Sequence, residues 1–395
     1  MRYINILLYS SASRSNNIGI WIHTPMSDIL YINGQAVPRV NLAENAYFLN
    51  KLTLIYGQSF SGKSVLIKDI LANLKGHIPI GICANPTNTQ NGDYNGIFPE
   101  ECIYDDVTKP LLQRIFQRQQ NVIAMYDLVR DPKQLLPLYK KICDVESKSK
   151  IDRLNKIYFK GIRDIKDSYE QNEVDGALED LKSKYYKKLV KIYRGCISVY
   201  MNRIDMRSLT DVQKAILSNF TINPRLLILI DDCASSIREW SQYEETKKLF
   251  YQGRHLQVTT IITMQAISII PPSLRNNAHI SIFTTAKAVN NYYAKATSGA
   301  SSDERKQIMK ISSVVFAESD DKSKPNFRKL CIFGSIIKTP HPIQYIIAHP
   351  KKRRFGSAAL WAICNHVKKE QTSSLTSNSF SKMFCIKPVA SLDPV

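Results

Sequence analysis

Gly57, Gln58, Ser59, Phe60, Ser61, Gly62, Lys63 and Ser64 stand in the order G-x-x-x-x-G-K-S. That spacing suits phosphate. The glycines let successive backbone N–H groups turn toward anionic oxygens, and a helix starting at the end of the run adds its positive terminus. Lys63 can reach the β- and γ-phosphates of a nucleoside triphosphate, and the Ser64 hydroxyl can hold Mg²⁺. The flanks supply the context that this chemistry needs. Leu52, Thr53, Leu54, Ile55 and Tyr56 predict a short buried strand before the loop, and apolar residues at helical spacing over 64–71 predict a helix behind it. A plain glycine turn between strand and helix is the competing reading, and the strand–loop–helix context weighs against it. All eight residues, 57–64, are expected to cradle ATP with Mg²⁺ as its metal.

Other positions fit the use of that triphosphate. Residues 224–230 form an apolar run that predicts a central strand, and it ends in Asp231 and Asp232. The first acid is placed to orient Mg²⁺ and its water shell, the second to position or deprotonate attacking water. An Asp-Asp helix cap opening the next segment is the bland alternative. Gln265 ends another predicted strand, 259–264, where an amide can sense the γ-phosphate or orient water; the C-terminal edge of an α/β sheet is where ligands bind. Arg275 and, second in preference, Arg254 are candidates for a guanidinium delivered to a neighbouring subunit's γ-phosphate, although a surface arginine is the commoner fate. The seven histidines are scattered, with no partner at metal-ligand spacing and no nucleophile–histidine arrangement. The base-reading signature Asn-Lys-x-Asp is absent, which disfavours GTP.

The elements that must position these groups read as α/β. Further strands are predicted at 77–83, 121–126, 280–283, 329–333 and 343–348, with helices at 111–120 and 239–252. The stretch 84–98, rich in Asn, Thr, Gly and Pro, is read as loop. Residues 1–50 read as an N-terminal cap or edge segment and 51–350 as the ATPase domain. Residues 133–220 read as a basic helical insertion, either a solvated hairpin or a nucleic-acid-facing module. Residues 351–395 read as a basic, Ser-rich flexible tail. The whole chain of 395 residues carries 54 Lys+Arg against 34 Asp+Glu, a net charge of +20. Such an excess points to a polyanionic partner, nucleic acid before an anionic membrane. The eight cysteines have no C-x-x-C pair, which favours reduced thiols over a disulfide framework or zinc site. No apolar run reaches the length of about 20 residues needed to span a bilayer, and the first residues do not read as a signal peptide. A soluble intracellular protein is expected.

The order of these blocks resembles the FtsK/HerA branch of P-loop ATPases. More closely it resembles the poxvirus-type genome-packaging ATPases of large nucleocytoplasmic DNA viruses. The resemblance rests on the loop at 57–64, the pair Asp231-Asp232, and a third block. That block runs from Gln252-Gly253-Arg254-His255 through the strand ending in Gln265 to Arg275, Asn277 and the strand at 280–283. It covers about 50–100 and 222–290 well, and the rest of the chain weakly. Asp232 departs from the Glu of the cellular motors. The resemblance implies a P-loop NTPase fold with a RecA-like, mostly parallel central sheet flanked by helices. It further implies a homo-oligomeric ring, hexamer or pentamer, that pulls double-stranded DNA without sequence preference into a capsid. Capsid or portal components would be its partners, and the host cytoplasm (virus factory) or the virion its location. A cellular-type DNA pump or helicase, and a non-hydrolysing ATP-binding virion scaffold, are the alternatives.

Overall fold

The computed structural model describes residues 29–373 apart from 33, 43–46, 234–236, 238, 267–268, 295–298 and 318–326. Its centre is an eight-stranded sheet. In chain order the strands are β3 (Leu52–Tyr56), β4 (Ile80–Ala84), β5 (Ile103–Tyr104), β6 (Leu226–Ile230), β7 (Val258–Met264), β8 (Ile280–Phe283), β9 (Arg328–Phe333) and β10 (Ile343–Ile347). Across the sheet they lie in the order β10-β9-β8-β3-β7-β6-β4-β5. From β8 to β5 every pairing is parallel, and β9 runs antiparallel to both its neighbours. A preceding hairpin, β1 (Ile29–Ile32) and β2 (Gln35–Pro38), leads onto the β10 edge, where the Val40 N–H donates to the Tyr345 carbonyl at 2.8 Å.

β3, β6 and β7 are buried at every residue, so alternate side chains serve two cores. On one face Ile55, Leu227, Leu229, Ile261 and Ile282 meet Leu66, Ile67 and Ile70 of helix α1 (Lys63–Leu74). On the other face Leu54, Tyr56, Ile228, Ile262 and Met264 meet helix α3 (Lys109–Leu128), and α2 (Asn88–Asn91) is a single turn after β4. Parallel strands buried on both faces read as continuous apolar runs, which is why the sequence reveals them.

Two expectations are corrected. The strand predicted at 121–126 is the second half of α3. Val122 and Met125 continue the buried stripe begun by Leu111, Leu112, Ile115 and Phe116, a helical rather than a two-residue period. The tail expected to be flexible from 351 instead contains a helix, Ala358–Ser373, whose Leu360 and Cys364 pack beside Phe98 and Phe355. The remainder of that expectation, 374–395, lies outside the described residues, as does 1–28 of the N-terminal segment.

Between β5 and β6 the chain is helical: after α3 come α4 (Pro132–Ile142), α5 (Val145–Ser168), α6 (Gln171–Tyr200) and α7 (Asp211–Ser218). Leu135, Leu138, Leu154, Leu189, Tyr193 and Ile197 form a separate core among them. α5 and α6, 24 and 30 residues long, pair as a hairpin whose helices measure roughly 36 and 45 Å at 1.5 Å per residue.

Candidate active site

Register decides what meets at the sheet edge. Tyr56 lies opposite Met264, and Ile230 opposite Ile262, so Gly57 and Gln265 leave their strands at the same level and Asp232, on the next strand, one residue below them. The strand carrying the acids is separated from the loop strand by one strand, and that strand carries Gln265. The loop is then fixed by short contacts. The Gly57 N–H donates to the Met264 carbonyl at 3.0 Å, and the Thr284 hydroxyl, from the end of β8, donates to Ser61 Oγ at 2.6 Å. Position 57 admits no side chain, because a Cβ there would sit 1.8 Å from Thr284 Oγ1. Gly62, with φ +83°, turns the chain in the left-handed region directly into α1. Lys63 folds back over the loop, Nζ donating to the carbonyls of Gly57 at 2.9 Å and Gln58 at 2.8 Å.

Such a loop, its lysine turned inward, at the C-terminal edge of a parallel sheet and one strand from a paired acid, settles the architecture. The fold is that of a P-loop NTPase.

Lys63, Ser64, Asp231, Asp232 and Gln265 line one cleft of about 470 Å³. Asp231, 4% exposed, is held at both oxygens. Thr263 Oγ1 donates to Oδ1 at 2.6 Å and the Tyr94 hydroxyl to Oδ2 at 2.6 Å, with Asn85 Nδ2 at 3.4 Å. Burial raises the Asp231 pKa; the Thr263 and Tyr94 hydrogen bonds and the Lys63 charge oppose the rise. Burial also lowers the Lys63 pKa, against the pull of Asp231 and Asp232. Asp232 adopts φ +58°, uncommon for a residue with a side chain. Its N–H donates to Thr263 Oγ1 at 3.1 Å, and its Oδ1 accepts from Gln265 Nε2 at 2.6 Å. Thr263 thus ties both acids to β7.

The donor set suits Mg²⁺, which takes hard oxygen ligands and keeps several waters. Ser64 and Asp231 share the cleft, and a carboxylate already aimed by two hydroxyls fits the orienting of a metal's water shell. Among the described residues no group of three or more His, Cys, Asp or Glu gathers as a metal site.

The two arginines lie at opposite edges of the sheet. Arg275 is 5% exposed, with its guanidinium 5.4 Å from the Tyr292 ring, and it lines a cleft of about 550 Å³ together with its own Gly57, Gln58 and Gln265. That cleft sets the guanidinium beside its own phosphate loop. Arg254 is exposed and precedes β7, so it lies at the opposite edge of the sheet, near Lys51 and His279. β3 alone spans roughly 16 Å between those edges. Tyr94, Thr263, Thr284 and Asn85 were not singled out from sequence. Tyr94 and Asn85 sit in a stretch that reads only as turn residues, and Thr263 and Thr284 sit at strand ends with no distinguishing pattern.

No protein-family model matches the chain. It is similar to the uncharacterized protein B354L of African swine fever virus (isolate Pig/Kenya/KEN-50/1950), 27% identical over 366 residues, which are 89% of this chain and 97% of that one. It is also similar to the uncharacterized protein L437 of Acanthamoeba polyphaga mimivirus, 21% identical over 217 residues, 55% of this chain and 46% of that one. Among solved structures it is similar to the genome packaging NTPase B204 from Sulfolobus turreted icosahedral virus 2 in complex with ATP-gammaS. The identity is 11%, the coverage 76% of this chain and 97% of that one, and the TM-score 0.32. A second is the pCW3 conjugation coupling protein TcpA, 13% identical, covering 88% and 72%, with a TM-score of 0.33. Likenesses this loose bear no weight; the P-loop NTPase fold stands on its own sheet order and loop geometry.

Proposed function

We propose that the chain is an ATP-driven translocase of double-stranded DNA that packages a viral genome into its capsid. The observation that carries the enzymatic half is the convergence of Lys63, Ser64, Asp231, Asp232 and Gln265 in one cleft at the C-terminal edge of adjacent strands. Lys63, now spending its charge on two loop carbonyls, turns to the β- and γ-phosphates when they arrive. Ser64 and Asp231 would hold Mg²⁺, which would supply positive charge against the phosphates. Asp232 accepts a proton from, or aligns, the attacking water, and Gln265 positions Asp232 and that water. Arg275 contributes positive charge from within its own subunit. Arg254, too far from its own loop, is the candidate for a neighbour's γ-phosphate in a hexameric or pentameric ring.

The DNA half is supported by the net charge of +20 and the resemblance set out above. Exposed Lys182, Lys187, Lys188 and Lys191 on α6 offer phosphate contacts. The far end of the α5–α6 hairpin, where Asp164, Asp167, Glu170, Glu173 and Asp175 outnumber Arg163 and Lys166, disfavours DNA and suits a protein partner such as a capsid or portal component. Relatives in African swine fever virus and mimivirus favour a viral setting and so a virus factory in the host cytoplasm. The test is ATP turnover with and without duplex DNA. Stimulation by unrelated duplexes, with binding that weakens steeply as salt rises, is expected. No turnover with intact ATP binding would favour a non-hydrolysing scaffold, and strand separation would favour a helicase.

A further inference from the structure

Lys329 is assigned no role by the sequence beyond its place in the strand predicted at 329–333. It lies on β9, alternating with Cys331 and Phe333, which face the core beneath α1, so its side chain runs toward the start of that helix. A Cβ placed on Gly62 would stand 3.4 Å from Lys329 Nζ and 3.5 Å from Cε. The residue is 8% exposed, and among the described residues it has no hydrogen bond and no ion pair. Its surroundings are hostile to a cation. The N-terminus of α1 carries the positive end of the helix dipole, and Lys63 follows Gly62. Burial pushes the Lys329 pKa down, with no carboxylate to restore it. For stability alone an apolar side chain of similar length would serve better at this point. An unpaired ammonium on a mostly buried side chain beside a helix N-terminus makes sense once an anion is there.

We propose that Lys329 is a second phosphate-binding cation of this site, gripping the end of the nucleotide's phosphate chain that lies at Gly62 while Lys63 grips the end at Gly57 and Gln58. The assignment rests on the nucleotide reading above and deepens it. Lys63 Nζ reaches back to the start of the loop, whereas Lys329 approaches its end, so the two ammonium groups bracket the cradle. With Lys63 assigned to the γ-phosphate end, the other end of the chain carries the phosphates that ATP and ADP share, so Lys329 would hold substrate and product alike.

The experiment compares the full chain with its Lys329→Met and Lys329→Arg variants, titrating Mg-ATP and Mg-ADP and measuring the thermal midpoint without nucleotide. Lys329→Met is expected to weaken ATP and ADP equally, about tenfold or more, with a nucleotide-free midpoint equal to or above wild type. Lys329→Arg, which keeps the charge, is expected to hold both affinities within about threefold of wild type. Unchanged affinities in Lys329→Met with a lowered midpoint would show a structural lysine and overturn the proposal. Equal losses in both variants would show that shape rather than charge matters and would overturn it too. Failure of the wild-type chain to bind either nucleotide would instead sink the underlying site assignment.

Discussion

Removing one hydroxyl tests how the buried acid is held. Tyr94→Phe deletes the donor 2.6 Å from Asp231 Oδ2 and leaves the ring, with its tilted neighbour Phe98, in place. No cavity forms, so the loss is that of one hydrogen bond to a charged group in a fully buried setting, about 1.5–3 kcal/mol. The loss depends on pH in a direction that follows from Asp231. Its folded pKa already lies above the unfolded carboxylate value, because desolvation outweighs the hydrogen bonds. The stability associated with that raised pKa is fully present below the unfolded pKa and is lost as pH rises through the folded one. The Tyr94 hydrogen bond lowers the folded pKa, so deleting it raises that pKa further and widens the pH window. The destabilisation should therefore be smallest toward pH 3, below the ordinary carboxylate value, and should grow toward pH 8 as Asp231 ionises. Equilibrium urea unfolding of the nucleotide-free proteins across that range measures it, with the Mg-ATP affinity at pH 8 expected to fall in parallel. A loss of equal size at every pH would mean that the phenol hydroxyl acts through packing alone, and no loss at all would remove the proposed support of Asp231.

Lys63→Ala should abolish tight ATP binding while leaving the nucleotide-free thermal midpoint within a few degrees of wild type, because its two present bonds are to loop carbonyls only; wild-type turnover would refute the loop assignment. Asp232→Asn should keep Mg-ATP affinity within about threefold and slow hydrolysis at least a hundredfold, whereas Asp231→Asn should lose Mg²⁺-dependent affinity; equal effects of the two on affinity would erase the division of roles. Mixing Arg275→Ala chains with Lys63→Ala chains should restore no ATPase despite proven co-assembly, since Arg275 is buried beside its own loop, while mixing Arg254→Ala with Lys63→Ala should restore part of it. Recovery in the first mixture would place Arg275 across a subunit boundary.

The parts of this protein legible in its sequence are those set by short-range physics. The loop at 57–64 is a local device, and the backbone geometry and phosphate chemistry that it needs are met by residues a few positions apart. β3, β6 and β7 are legible because strands buried on both faces must be apolar throughout, and the same rule puts Asp231, Asp232 and Gln265 at their ends. The second half of α3 was misread because a six-residue apolar run carries either period until the helix before it is known to continue. What only the tertiary structure decided is how distant segments meet. Tyr94 reaches Asp231 across 137 positions of sequence, and neither residue marks the other. On paper Arg275 is preferred to Arg254 only by its place in the chain; the sheet sends Arg254 to the far edge and sets Arg275 in a cleft beside its own loop. Lys329 sits in an unremarkable strand, and only the antiparallel return of β9 beside β8 turns its ammonium toward Gly62. Sequence periodicity reports which way a side chain faces along its own element, whereas the partner waiting there is fixed by strand order and register.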